Sequence, residues 1–440
     1  MRIEKGVFYQ RLLFTAFWIR VLWSFLADEI LPIMHALTPI VHLAFDALIL
    51  CMGIAVMGRK RDRVYAVVFV AVSCYITVVV NKLTLAFYAN GLRDFFSYLF
   101  VIPIVNYFLS DPARKKAFVE GFDRQLYLFL LVQVPCVLYQ FFRYGAGDMV
   151  GGSLGHWNSG VLTTMIFSIS FYLMRKRLDP ERYFMSLWQN KILILLLIPT
   201  QLNETKISFF YLLMYFLLLM PMNRKSFLRA LAMIPALLIV IWLMGLAYVV
   251  STGGDPGDMF SIEYYAETYL YDETGASEAY AEALFESGDD QRQDVPRFSK
   301  FMLLSDIHDE NPGHVLTGFG LGQFKGGTLV ENAKFYLKYQ WMLDGTVPYA
   351  FHVWIQMGAA GIALMIWFFV NLFSAKQPGQ RRDYNTHFFF VLIFIILMVY
   401  NDSIRFAYMC LPLAYIIMAS WHDQGPAEED DDGEEAANEA

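Results

Sequence analysis

Charge, cysteine and internal repetition are all scarce in this chain, and each shortage removes a class of protein. Asp, Glu, Lys and Arg together make up 17% of 440 residues, whereas a soluble globular chain carries nearer ~25%. A fold wrapped in a water-facing charged surface is therefore not expected. Only four cysteines occur, Cys51, Cys74, Cys136 and Cys410, all within apolar segments, so no disulfide framework is predicted. No segment recurs at a fixed period and the two halves show no symmetry, which argues against a transporter built from repeats. Metal-ligand spacing and a nucleophile elbow are missing as well. No small-residue cleavage site follows the basic stretch from Met1 to Arg11, so the first apolar segment reads as an uncleaved span.

In their place, 57% of the residues are hydrophobic and 17% aromatic. A helix needs about 20 apolar residues to cross a bilayer. The apolar stretches predict an all-α, polytopic bundle spanning 12–27, 34–57, 64–80, 86–109, 125–143, 159–174, 187–202, 206–221, 228–250, 348–374, 385–401 and 403–421. That makes about twelve transmembrane helices, with one large, partly helical loop at 251–347. Residues 1–250 carry the first nine spans and 348–422 the last three, and 423–440 form a disordered acidic tail.

Loop charge sets the orientation. Arg59-Lys60-Arg61-Asp62-Arg63, Arg114-Lys115-Lys116, Arg175-Lys176-Arg177, Arg224-Lys225 and Lys376 with Arg381-Arg382 fall on one side. Lys/Arg excess in short loops marks the cytoplasmic side. The loops at 144–158, 203–206 and 251–347 are then extracytoplasmic, where nucleotide-activated donors are absent. The net charge of -7 comes from two places outside the bilayer. One is the acidic tail. The other is 251–296, which holds twelve Asp/Glu against a single basic residue, Arg292, and is rich in tyrosine. Within the large loop, Ser277–Phe285 has helix-forming composition. A second helix should start near Asp294, with Pro296 in its first turn, and stop before Asn311-Pro312-Gly313.

Ionisable residues within or beside spans are costly and point to function. Arg93 lies about two turns into the fourth span, where it either acts on a ligand or pairs with Asp94. Arg20 has Asp28 and Asp46 as candidate partners. Lys206 opens the eighth span, either as a ligand cation or as a lysine reaching the interface. Arg297 combines a guanidinium with a helix N-terminus, which suits a phosphate or pyrophosphate; a salt bridge within the acidic loop is the rival reading. His352, at the start of the tenth span, is a candidate general base, or an interfacial histidine bonded to backbone. Asp28-Glu29 offers two carboxylates to a divalent ion, although adjacent acids are common. The run Gly318-Phe319-Gly320-Leu321-Gly322 lacks the strand and helix of a dinucleotide site and reads as a turn returning the cap to the membrane.

The order of these features resembles the superfamily of O-antigen ligases and O-antigen or exopolysaccharide polymerases. Gly151-Gly152-Ser153-Leu154-Gly155-His156-Trp157-Asn158-Ser159-Gly160 looks like the family's Gly/Asn-rich segment. Arg297, then the glycine run, then His352 with Gly358-Ala359-Ala360-Gly361, resembles its late loop and exit. Fifteen residues separate Arg297 from Gly313, a spacing found in polymerases. Val353 stands where asparagine often follows the family's histidine, and Lys206 where relatives commonly show Ser-Arg.

The resemblance implies transfer of an oligosaccharide from undecaprenyl pyrophosphate at the periplasmic face of a bacterial inner membrane, with no cofactor and no nucleic-acid partner. A chain-length regulator and a flippase become candidate partners. His352, with His156 in reserve, would be the base and Arg297 would act on the leaving group. Arg93, Lys206, His156, Asn158, Gly318, Gly320 and Gly322 would line the pyrophosphate and glycan site. The acidic, tyrosine-rich cap repels a phosphorylated lipid core and favours a polymerase over a ligase. A transporter or flippase is the alternative from another class, and a membrane receptor is a third.

Overall fold

The computed structural model describes residues 4–179, 182–203, 207–220, 297–324, 331–343, 347–375 and 380–423. They form a helical bundle with a single short ladder, β1 (Gln380–Arg382) antiparallel to β2 (Trp421–Asp423). The first helices are α1 (Lys5–Phe25), α2 (Thr38–Val56), α3 (Lys60–Cys74), α4 (Leu85–Leu92), α5 (Phe96–Leu109) and α6 (Pro112–Tyr144). Next come α7 (Ser159–Arg177), α8 (Tyr183–Gln189), α9 (Lys191–Leu195), α10 (Pro199–Leu202) and α11 (Ile207–Leu219). The later set is α12 (Arg297–Glu310), α13 (His314–Thr317), α14 (Lys334–Leu343), α15 (Tyr349–Phe373), α16 (Tyr384–Tyr400) and α17 (Ala407–Ala419).

Among the described residues, five helical stretches are long and apolar enough to cross a membrane: Pro32–Val56, Lys60–Val80, Leu85–Leu109, Pro112–Tyr144 and Tyr349–Phe373. Large apolar side chains on two of them face outward, with Ile54 62% and Val67 67% exposed. Such faces suit lipid, which solvates them as well as a protein interior would. The helices pack closely where one residue is small. A Cβ on Gly53 would lie 2.4 Å from Phe100, so glycine lets α2 lie flush against α5. Elsewhere aromatic rings fill the seams, as where Phe171 stacks on Phe389 with centroids 3.9 Å apart.

Several span boundaries shift. Residues 187–202 are not one continuous span but the three short helices α8, α9 and α10. Asn190 turns its side chain onto the Ser186 carbonyl at 2.9 Å, ending α8, and Pro199 has no N–H to continue a ladder. The expected 403–421 helix begins only at Ala407, and 86–109 is interrupted at Arg93–Phe95. The cap helix behaves as expected in its described part, ending at Glu310 before Asn311-Pro312-Gly313. The span 228–250, the acidic segment 255–290, Ser277–Phe285 and the tail lie outside the described residues.

The turns sort by charge. Gln10 donates to the Ala117 carbonyl at 3.3 Å, Lys176 meets Asp123 at 2.6 Å and Arg175 meets Asp383 at 3.3 Å. These contacts draw the basic turns at 114–116, 175–177 and 381–382 towards one end of the described bundle, while Arg224-Lys225 and Lys376 lie outside the described residues.

Candidate functional site

Two helix breaks at the opposite end bring the intramembrane charges together. α4 stops at Leu92, a 3₁₀ turn covers Arg93–Phe95, and α5 resumes at Phe96. α16 stops at Tyr400, a second 3₁₀ turn covers Ser403–Arg405, and α17 follows. The second break is held by Asn401, whose side-chain oxygen accepts from the Ser403 N–H at 3.1 Å. The Ser97 hydroxyl, on α5, donates to the Arg405 carbonyl at 3.0 Å and ties the two breaks to each other.

Arg405 is the hub. Its guanidinium reaches Asp94 at 3.3 Å and Asp402 at 2.8 Å. His352 Nε2 lies 3.9 Å from the same Asp94 oxygen, on a side chain that is 1% exposed. Beside this chain, Arg93 pairs with Asp46 at 3.5 Å, not with its neighbour Asp94. Arg20 lies 4.1 Å over the Tyr408 ring, within electrostatic range of Asp46. On the far side Arg297 covers the Tyr400 ring at 4.4 Å, and the buried Lys300, one turn along α12, acts on Asp402.

Arg93, paired with Asp46, precedes Asp94 in the chain, and Arg297 lies over Tyr400, two residues before Asp402. Lys206, expected to share a pyrophosphate site with Arg93, lies outside the described residues.

The glycine run meets the site from the cap side. Gly318, Gly320 and Gly322 have φ of +62°, +91° and +87°, so the chain reverses tightly. α15 is kinked at Gly358, where φ is +58° and ψ is -153°. A kink leaves carbonyls without their usual helical donors, which is tolerated in a membrane only if other groups replace them. Here Phe319 N–H donates to the Ile355 carbonyl at 2.8 Å and Gly320 N–H to the Gln356 carbonyl at 2.9 Å. Gly322 N–H donates to the Gln356 side-chain oxygen at 3.0 Å, and Gly318 N–H to the His314 carbonyl at 2.7 Å. All three glycine N–H groups are engaged within the protein. Their geometry gives them a latch role and leaves no N–H cradle for a phosphate.

His156 and Asn158 belong to a separate cluster. Glu29, whose side chain is fully buried, accepts from Arg143 at 3.0 Å and Tyr144 at 3.1 Å, and meets His156 Nε2 at 2.7 Å. Asp28 pairs with His35 at 3.2 Å and accepts from the His156 N–H at 3.3 Å. Both acids are occupied by protein groups, and among the described residues no cluster of His, Cys, Asp and Glu suits a metal. Asn158 donates to the carbonyls of Leu154 and His156, while Gln133 and Gln140 of α6 hold the backbone of Gly152 and Ser153. The segment 151–158 is thereby pinned to α6 and to Asp28-Glu29 just after α1, and His156 is a fastening of that turn.

Glu29→Ala should lower stability by about 2–3 kcal/mol, the scale of hydrogen bonds to a buried charge, while leaving the Arg405 chain intact. Arg143, half-exposed, can return to water, which keeps the loss below that of a fully buried pair. Thermal unfolding of the detergent-solubilised protein measures it; an unchanged midpoint would remove Glu29 as the fastening.

Sequence reasoning passed over Arg405, Asp402 and Lys300. The signal was present in Asn401-Asp402-Ser403-Ile404-Arg405, two charges and a strong turn former between apolar runs. Placing a span at 403–421 absorbed it.

The helices and buried charges define a helical membrane protein with an ion-pair chain at one end. The sequence matches no family model, and no curated protein matches it.

Proposed function

We propose that this chain is a polymerase-type glycosyltransferase of a bacterial inner membrane, moving an isoprenoid-pyrophosphate-linked oligosaccharide onto a growing glycan at the periplasmic face. The observation that supports this most is the gathering of His352 and Lys300 on the Asp94–Arg405–Asp402 chain, with Arg93 on Asp46 and Arg297 on Tyr400 adjoining it, at the end away from the turns at 114–116 and 175–177. In the proposed step an acceptor hydroxyl attacks the anomeric carbon, its proton passes to His352, and the isoprenoid pyrophosphate departs. Guanidinium forks match phosphate oxygens, and preorganised cations favour charge developing on a leaving group. No ATP is needed, because the donor's glycosyl–pyrophosphate bond supplies the energy.

The test is the product pattern of a deletion strain and of complementing variants. Single repeat units on the carrier or the surface are expected. Long finished chains stranded on the carrier would establish a ligase instead, and an intermediate confined to the cytoplasmic leaflet a flippase. His352→Ala should slow transfer by about 10²-fold or more. Arg297→Ala should lose more activity than Arg297→Lys, at normal membrane abundance. Full activity in both His352→Ala and Arg297→Ala would sink the assignment.

A further inference from the structure

Gln356 sits one turn after His352 on α15, and its amide can point only one way. The Gly322 N–H donates to one end of that amide at 3.0 Å, so that end is the carbonyl oxygen. The other end, the NH₂, lies 2.8 Å from His352 Nε2 and 3.5 Å from the His352 carbonyl. Both of those neighbours must accept. An amide NH₂ has no lone pair to offer, and a protonated Nε2 facing it would set two donors against each other. A flipped amide would place an oxygen against the His352 carbonyl and leave the buried Gly322 N–H without its acceptor, at about 1–3 kcal/mol.

We infer that Gln356 is a positioning residue that locks His352 in the neutral tautomer with the proton on Nδ1, holding the Nε2 lone pair on its own amide NH₂. Imidazole side chains in water favour the opposite tautomer, so the lock works against an intrinsic preference. The ring is also held in place, between Phe324 at 4.3 Å and Tyr349 at 5.9 Å by centroid, with Phe95 at 6.1 Å. Nδ1 has no hydrogen-bond partner among the described residues, so no other group there selects the tautomer. Selection comes from the Nε2 side alone, and through Gln356 from the glycine run. In this tautomer Nε2 carries the basic lone pair, so a hydroxyl that gives its proton to His352 must first take the place of the Gln356 amide at Nε2. The tautomer follows from hydrogen bonding and holds whether or not the glycan reading is right.

The experiment is ¹⁵N magnetic resonance of the full chain in bilayers, with ¹⁵N-labelled histidine and the His352 signals assigned by their loss in His352→Asn. The protonated nitrogen is identified by its one-bond coupling to hydrogen. In the wild type the Nδ1–H form is expected to account for essentially all of the His352 signal. Gln356→Glu replaces the donor with a carboxylate oxygen, and the proton should move to Nε2. Gln356→Met removes the donor without adding an acceptor, and the Nδ1–H share should fall. A wild-type signal from Nε2–H overturns the inference, and this holds even if Gln356→Glu fails to insert. An unchanged Nδ1–H population in Gln356→Met overturns it too, because Gln356 would then not be what fixes the proton. Transfer activity does not enter the readout, so loss of the glycan reading and loss of the tautomer lock are separately visible.

Discussion

Arg405→Ala should be among the most damaging single substitutions in the chain. It leaves Asp94 and Asp402 facing each other without the cation that bridges them at 3.3 and 2.8 Å. Removing one partner of a buried ion pair costs about 3–5 kcal/mol. The three side chains are about a quarter exposed, so solvent screening reduces this to about 2–4 kcal/mol. Arg405→Lys should recover only part, since one ammonium cannot span both carboxylates as a fork does. The decisive form is a double-mutant cycle followed by unfolding in detergent. Asp94→Asn placed on Arg405→Ala should cost much less than it does on the wild type. Strict additivity would mean that Arg405 and Asp94 do not act on each other. If the glycan reading holds, Arg405→Ala also abolishes transfer, because His352 then faces an uncompensated carboxylate pair.

A second large effect is expected where the glycine run meets the kink of α15. A Cβ on Gly318 would lie 2.5 Å from the Met357 nitrogen, and one on Gly358 would lie 2.5 Å from the Leu316 carbonyl carbon. Both positions also have positive φ, +62° and +58°. Backbone strain of about 1–3 kcal/mol adds to a similar overpacking term, giving a loss of about 3 kcal/mol or more for either alanine. Two controls separate the causes. Gly145 has φ of +80° with nothing within 4 Å, so Gly145→Ala reports strain alone. Gly313 has ordinary φ of -63° and open space around it, so Gly313→Ala should be neutral or slightly stabilising. Unfolding midpoints of the four variants decide the matter. Equal losses at Gly145 and Gly318 would show that the close approach of cap and helix contributes nothing.

Composition carried the helical class, and turn residues carried the end of the cap helix at Glu310, because each depends on local signals. Apolar run length misplaced the helix ends. A break between apolar helices such as Asn401–Arg405 reads as one more polar interruption until a partner such as Asp94, three hundred residues earlier in sequence, is brought beside it. The same holds for Glu29, where two adjacent acids look like a metal site and only the fold supplies Arg143, Tyr144 and His156. His352 was legible as a polar residue at a span's start. Its orienter Gln356 was not, because the amide acquires a direction only from the Gly322 N–H.

The latch between the glycine run and α15 has a bearing on biogenesis. Residues 318–322 leave the ribosome before 349–373, so the donors that will satisfy the Ile355 and Gln356 carbonyls already exist when the kinked helix enters the bilayer. Grafting a foreign cap onto this bundle would strand two carbonyls in hydrocarbon unless the graft brought an equivalent tight reversal. Cap and kink are in that sense a single heritable unit, exchangeable together and not apart.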